Sequence, residues 1–351
     1  MKKENQKALN SISARKRKRK RKLFLSILMI LFTGIVLTMG TYAWFSANKT
    51  VTVDSIDVNV SSSNGIQVST DAINWKTVIS NEDIIGASAD DKYPTAVNQL
   101  PKGINALSPV STVGDITSTN GFMSMFSGEI DSTATGDYIL TAKSVTEQNG
   151  TSGEYIAFDL FFQVKAETQM YLTNKSNVIA GSTNSGIQNA ARVAFLDEGT
   201  LTAGSTVSDI QALKGATSSS VVIWEPNYDV HTASAISNAS SNYGINDLTQ
   251  TGAARLEYNG VKAAIPADAE IPLASESTTY FSKVTPAITT VASGISSDSY
   301  ESAFTLKAGI TKMRIYMWIE GQDVDCENNA SGGSLTFNLQ FSSSSSASDV
   351  S

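Results

Sequence analysis

The sequence predicts an all-β protein: a jelly-roll-like β-sandwich with long Ser/Thr/Gly-rich loops, set behind an N-terminal apolar helix. Three observations lead there. Apolar and polar residues alternate over several segments, which is the period of a half-buried strand. Stretches rich in Ser, Thr, Gly and Asn separate them and read as turns and surface loops. No strand–helix–strand rhythm of a parallel sheet runs through the chain, which leaves sandwich and jelly-roll architectures.

The first element is a leader. Arg15 to Lys22 are eight consecutive basic residues, and residues 1–22 carry eleven Lys or Arg against Glu4, a net +10. Leu23 to Phe45 then hold no charge over 23 residues. About 20 apolar residues span a bilayer as a helix, and the basic flank stays cytoplasmic. Thr41 and Ala43 put small residues at the third-last and last positions before Trp44, the pattern a signal peptidase cuts. The length of the apolar run, with Tyr42, Trp44 and Phe45 suited to a membrane interface, fits instead an uncut anchor through residues 23–45. The expected organisation is a basic n-region at 1–22, a signal or transmembrane segment at 23–43 and an assembly strand at 44–60. The sandwich follows at 61–341, with a disordered Ser-rich tail at 342–351.

Charge agrees with export. The chain's −7 becomes −17 once the +10 of residues 1–22 is set aside. Such a surface repels itself and stays soluble, and it excludes nucleic acid as a partner, because phosphate binding needs clustered cations. Cys326 is the only cysteine, so no intrachain disulfide exists.

The strands follow in order. Val51 and Val53 alternate with Thr50 and Thr52, and the apolar frame then slips by one to Ile56, Val58 and Val60. A slip of one flips the faces, so a bulge or bend is expected at Asp54–Ser55. Residues 65–80 read as a hairpin turning near Thr70-Asp71-Ala72. Residues 155–167 put Ile156, Phe158, Leu160, Phe162 and Val164 on one face, and Phe161 on the other predicts that this second face is partly covered. Residues 312–321 alternate Met313, Ile315, Met317 and Ile319 with Arg314, Tyr316, Trp318 and Glu320. Residues 333–342 turn Leu335, Phe337, Leu339 and Phe341 inward. Shorter strands are expected at 138–144, 192–196, 220–224, 253–258 and 302–307, helix near 208–214 and 232–241, and loops over 86–135, 173–190, 199–220 and 262–300.

Catalytic constellations are nearly absent. His231 is the single histidine, which excludes the two-histidine zinc motifs, and its polar loop reads as solvated. No Walker loop, G-x-G-x-x-G or G-x-S-x-G occurs. One segment carries metal-like spacing: Asp323, Asp325 and Glu327 stand at alternate positions, followed by Asn328. Closely spaced oxygen ligands on a loop suit Ca²⁺, although the Gly and distal Glu of an EF-hand are missing. The competing reading is an acidic turn between two strands.

The segment M-G-T-Y-A-W-F-S-A-N-K-T-V-T-V, Met39 to Val53, resembles the N-terminal signature of exported Firmicute surface proteins of the TasA/camelysin type. Residues 317–342, with W-I-E-G-Q-D-V-D-C before a last strand, resemble a recurring ending in clostridial-type relatives, and residues 223–231 recur there as well. The resemblance implies a cut after Ala43 by a dedicated signal peptidase. It also implies a jelly-roll surface protein that self-associates into fibres, the N-terminal strand of one subunit completing the sheet of the next. Here that strand carries Val51, Val53, Ile56 and Val58. A freed, unpaired strand is a template for another chain. Two other readings stay open. One is a membrane-anchored monomeric ectodomain binding glycan or another polymer through exposed aromatics such as Trp75 or Trp224. The other is a camelysin-like protease, disfavoured by the single histidine.

Overall fold

The computed structural model describes residues 50–349, apart from 62–64, 88–90, 99, 101–106, 117–120, 133–137, 148–152, 182–184, 244–257, 273–276 and 328–331. The leader and the proposed cut at Thr41, Ala43 and Trp44 lie outside the described residues, as does Asn328. Among the described residues, no helix is long and apolar enough to cross a membrane.

The chain is all-β, with two six-stranded sheets facing each other across the main core. Strands are numbered in chain order. The first sheet runs β15 (Glu301–Leu306), β8 (Thr168–Leu172), β17 (Ser334–Ser342), β1 (Thr52–Ser61), β3 (Val78–Ile79), and β9 (Asn177–Ala180) also pairs with β17. The second runs β14 (Ile288–Thr289), β11 (Val221–Glu225), β10 (Ala191–Leu201), β16 (Gly309–Ile319), β7 (Ile156–Val164), β2 (Gln67–Ser69). Between them pack Ile56, Val58, Phe337 and Leu339 of the first sheet and Phe158, Leu160, Ile315 and Met317 of the second. Phe341 lies at the centre of an aromatic group, with ring centroids 5.8 Å from Phe162, 5.6 Å from Phe195 and 5.4 Å from Phe304. Each such ring removes a large apolar area from water and gains from edge-to-face packing.

The expected bulge is present. β1 pairs in parallel with β17 from Thr52 opposite Ser334 to Ser61 opposite Ser342, and the register shifts between Val53 and Ser55. The extra residue lets both apolar frames face inward: Val51, Val53, Ile56, Val58 and Val60 are all buried. β1 is therefore a member of its own chain's sheet, between β17 and β3, rather than a free strand.

Several expectations are corrected. The expected hairpin at 65–80 closes through an antiparallel bridge between Val68 and Lys76, but its two arms run on into different sheets: β2 pairs with β7 while β3 pairs with β1. Its turn lies where expected, held by Asp71 Oδ1 accepting from the backbone N–H groups of Ile73 and Asn74 at 2.8 and 2.7 Å, with Ala72 at φ 60°. Structure also occupies the expected loops: β4 (Val110–Ser111) and β5 (Met125–Ser132) form a three-stranded sheet with β6 (Tyr138–Val145), where a strand is expected, and β13 (Phe281–Val284) pairs with β12 (Tyr258–Val261). The described part of the Ser-rich tail packs back, with the Tyr300 N–H donating to the Ser345 carbonyl at 2.7 Å and that of Ala347 to Ser297 at 2.8 Å. Helices at Val207–Gln211 and Ala233–Tyr243 fall where expected.

The largest correction concerns β16, whose eleven residues are all buried. Its second face is covered by a further layer, in which Tyr316 and Trp318 pack with Val110, Met125, Tyr258 and Val284. Phe161 on β7 is likewise covered, by Tyr93, Ile210 and Ile310.

Candidate functional site

Alternation along β16 places Lys312, Arg314, Tyr316, Trp318 and Glu320 on the face away from the main core. Because the extra layer excludes water, these polar groups must find partners in the protein. They do so in two clusters.

The first surrounds Arg314. Its Nη1 donates to Asp159 Oδ1 on β7 at 2.7 Å, and its Nη2 donates to Glu147 and to the Val97 carbonyl. The Tyr316 hydroxyl donates to Glu147 at 2.6 Å and the Tyr93 hydroxyl to Asp159 Oδ2 at 2.6 Å. Lys312 Nζ lies 3.3 Å from Asp159 Oδ2. Burial pushes the Asp159 carboxyl up, but Arg314 and Lys312 outweigh it and hold the group below its ordinary range. Glu198, in the bulge of β10, is pushed up to about 7, chiefly by burial.

The second cluster holds the acidic loop. Arg192 on β10 is buried and its Nη2 donates to Glu225 at 2.7 Å and to Asp323 at 2.5 Å. Asp323 Oδ1 also accepts from the Asp325 N–H at 2.8 Å, an Asx turn. Asp325 Oδ2 lies 2.7 Å from His231 Nδ1, and its Oδ1 accepts from the Thr232 N–H at 2.9 Å. The Thr232 hydroxyl caps the following helix by accepting from the Ala235 N–H, and donates to Glu327 at 3.3 Å. Of the three carboxylates at alternate positions, Asp323 thus turns to Arg192, while Asp325, bonded to His231, shares Thr232 with Glu327. Among the described residues, no group of three or more His, Cys, Asp or Glu is placed to hold a metal ion.

Two expectations about this region are overturned. His231 is 5% exposed, not solvated: the polar loop that carries it folds over β11 and onto the acidic loop. Burial alone would lower its pKa, but Asp325, with Asp323 and Glu225 behind it, raises it. Trp224 is buried, its indole N–H donating to Thr290 at 2.7 Å, and Trp75 is half-buried against Phe161's cluster, so neither is an open aromatic platform. Cys326 is buried and takes part in no disulfide. His231 Nε2 is buried and meets no hydrogen-bonding partner among the described residues, so among them no nucleophile stands where an Asp–His pair would activate one.

Sequence reasoning missed Arg192, Glu225, Asp159 and Arg314. The available signal was a charged residue inside otherwise apolar strands, as in Y-I-A-F-D-L-F-F, which marks a buried ion pair once the second face is known to be covered.

These shifts give a pH dependence. Burial pushes Glu320 up to about 7 against its hydrogen bonds from Ser111 and Trp318. A carboxyl raised in the folded state contributes stability that is complete below its unfolded value and lost as pH rises through the folded one. Glu320 and Glu198 act this way between about 4.5 and about 7, and raised His231 loses its contribution as pH rises from its ordinary value of 6.5 through its raised one. Asp159 acts oppositely and is lost in stronger acid. The melting temperature should therefore peak in mild acid and fall from pH 5.5 to 8, with Glu320 alone accounting for about 2 kcal/mol of that fall. Glu320→Gln should flatten that fall; an unchanged pH profile would show that Glu320 titrates normally.

No protein-family model, curated protein or solved structure matches this chain.

Proposed function

We propose that this chain is an exported cell-surface or extracellular structural protein, translated with a signal peptide and self-associating by exchange of its first strand. A jelly-roll-like sandwich, with first and last strands adjacent, belongs to this reading; the parallel β1–β17 pair is its departure from an all-antiparallel scheme. The observation that carries it is the placement of β1. The strand that follows the apolar leader is buried along one whole face, hydrogen-bonded to β17 along its length and to the two-residue β3 on its other side. Once the leader is cut at Ala43 only residues 44–51 precede β1, held among the described residues by the Val51–Leu107 bridge, so the strand can leave its own sheet and enter a second copy's with the same contacts. Head-to-tail exchange of this kind does not close and yields a filament. The proposed partners are a signal peptidase and further copies of the chain, with the membrane involved through residues 23–45 before cleavage. No catalytic role is assigned.

The second reading is a membrane-anchored monomer that binds glycan or another surface polymer. The pairing of β1 in its own sheet favours it, because the monomer is then complete. N-terminal sequencing and sedimentation of protein from the native cell surface separate the two. Strand exchange predicts a mature N-terminus at Trp44 and assemblies that are lost when residues 44–53 are removed or when Val51→Asp is combined with Val53→Asp. Retention of residues 1–43 with compact monomers at high concentration would end it.

Calcium at Asp323, Asp325, Glu327 and Asn328 enters this proposal as a competitor, since the ion must replace Arg192 and His231 as counter-charges of Asp323 and Asp325. Its binding should strengthen as His231 loses its proton. Excess calcium is expected to raise the melting temperature more at pH 8 than at pH 5.5. Identical melting curves in calcium and chelator at pH 8 would remove the ion.

A further inference from the structure

We propose that the side chains of Lys312 and Asp159 condense into an intramolecular amide that covalently ties β16 to β7, the two strands at the heart of the second sheet.

The geometry carries it. Lys312 lies across the ladder from Phe161, and Asp159 from Arg314, so amine and carboxyl sit diagonally on one face of an antiparallel pair. Lys312 Nζ is 3.3 Å from Asp159 Oδ2, with both side chains nearly inaccessible. The amine is aimed by the Gln211 carbonyl, to which it donates at 2.9 Å, and it lies 5.8 Å from the centre of the Tyr93 ring. Both carboxyl oxygens are already held by donors: Oδ1 by Arg314 at 2.7 Å and Oδ2 by the Tyr93 hydroxyl at 2.6 Å. Reactive groups fixed at such separations behave as though at very high concentration.

The step balances without an oxidant, a reductant or a co-reactant. Lys312 enters as ammonium and Asp159 as carboxylate. A bond forms between Nζ and Cγ, and the Cγ–Oδ2 bond breaks. Two ammonium protons depart with Oδ2 as one water, and the third stays as the amide N–H. Arg314 Nη1 is placed to neutralise the charge that grows on Oδ1 while Cγ is tetrahedral. The Tyr93 hydroxyl is placed to protonate the departing Oδ2. Glu198, in the β10 bulge next to the residue paired with Lys312, acts electrostatically on both Lys312 and Tyr93 and has a carboxyl raised to about 7, so it is the base proposed to hold the first ammonium proton near neutral pH until that proton leaves with Oδ2.

The product is favoured by the site itself. Two opposite charges that are costly to keep from water are exchanged for one neutral amide. The new carbonyl oxygen keeps Arg314 as its donor, and Arg314 keeps Glu147 as its counter-charge. In a chain with one cysteine, such a bond supplies the cross-link that no disulfide can.

The test is the mass of the full chain under denaturing conditions, followed by peptide mapping. A species about 18 Da below the sequence mass is expected, with a branched peptide joining the segments around Asp159 and Lys312. Lys312→Met should restore the full mass, and Glu198→Gln should leave a mixture that converts slowly. A folded wild-type chain that keeps its full mass after prolonged incubation, with separate peptides for 159 and 312, overturns the proposal. So does a water loss that maps to any other position. Because the wild-type measurement decides, a variant that fails to fold does not blunt the test.

Discussion

Replacing Arg314 with methionine is expected to cost about 3–5 kcal/mol, a large share of a domain's stability. The guanidinium is buried and answers two carboxylates, Asp159 and Glu147, as well as the Val97 carbonyl. Burial pushes Glu147 up and Arg314 pulls it down, so removing the cation leaves an acid with every reason to take a proton. Before any condensation, Asp159 would keep only Lys312 and Tyr93. The loss should appear as a lower denaturant midpoint with an unchanged slope. It should shrink when Glu147→Gln is added, because the second change removes a charge that the first one orphaned. A midpoint unmoved by Arg314→Met would show that the face is wet and the cluster screened.

The second large effect concerns the bulge in β1, where two single-residue deletions should behave oppositely. Asp54 is the extra residue: Val53 faces Leu335 and Ser55 faces Thr336. Deleting exposed Asp54 leaves Val51, Val53, Ile56, Val58 and Val60 in one unbroken alternation and the ladder to β17 continuous, so the fold should survive. Deleting Asp57 turns Val58 and Val60 outward or forces the ladder to slip. Each misplaced valine forfeits about 1.5–3 kcal/mol of burial, and the ectodomain should no longer melt cooperatively. If both deletions were tolerated equally, β1 would not be a fixed part of the sandwich.

The sequence alone determined the class of the fold and the core faces of its longest strands. Period-2 alternation is a local property, so the core faces of β1, β7 and β17 could be read directly, as could the bulge, because a one-residue slip between Val53 and Ile56 has one simple geometric remedy. Asp71 gave the turn, since its side chain closes hydrogen bonds within three residues. Only the tertiary structure decided which sheet each strand joins: β2 and β3 are near neighbours in the chain yet lie in opposite sheets. It also decided what covers the second face. Arg314, Tyr316 and Trp318 look from the sequence like residues facing water; whether they do depends on a layer built from segments 110–145 and 258–284, in which local alternation marks the strand at 138–144 but not what it packs against. That layer removes the water, and its removal turns a polar face into a set of obligatory ion pairs. His231 shows the same logic in one residue. Its own neighbours are polar and place it in solvent, but Asp325, 94 positions away, takes it into the interior. Local pattern reports which side chains can face a core, and only the packing of distant segments decides how many cores there are.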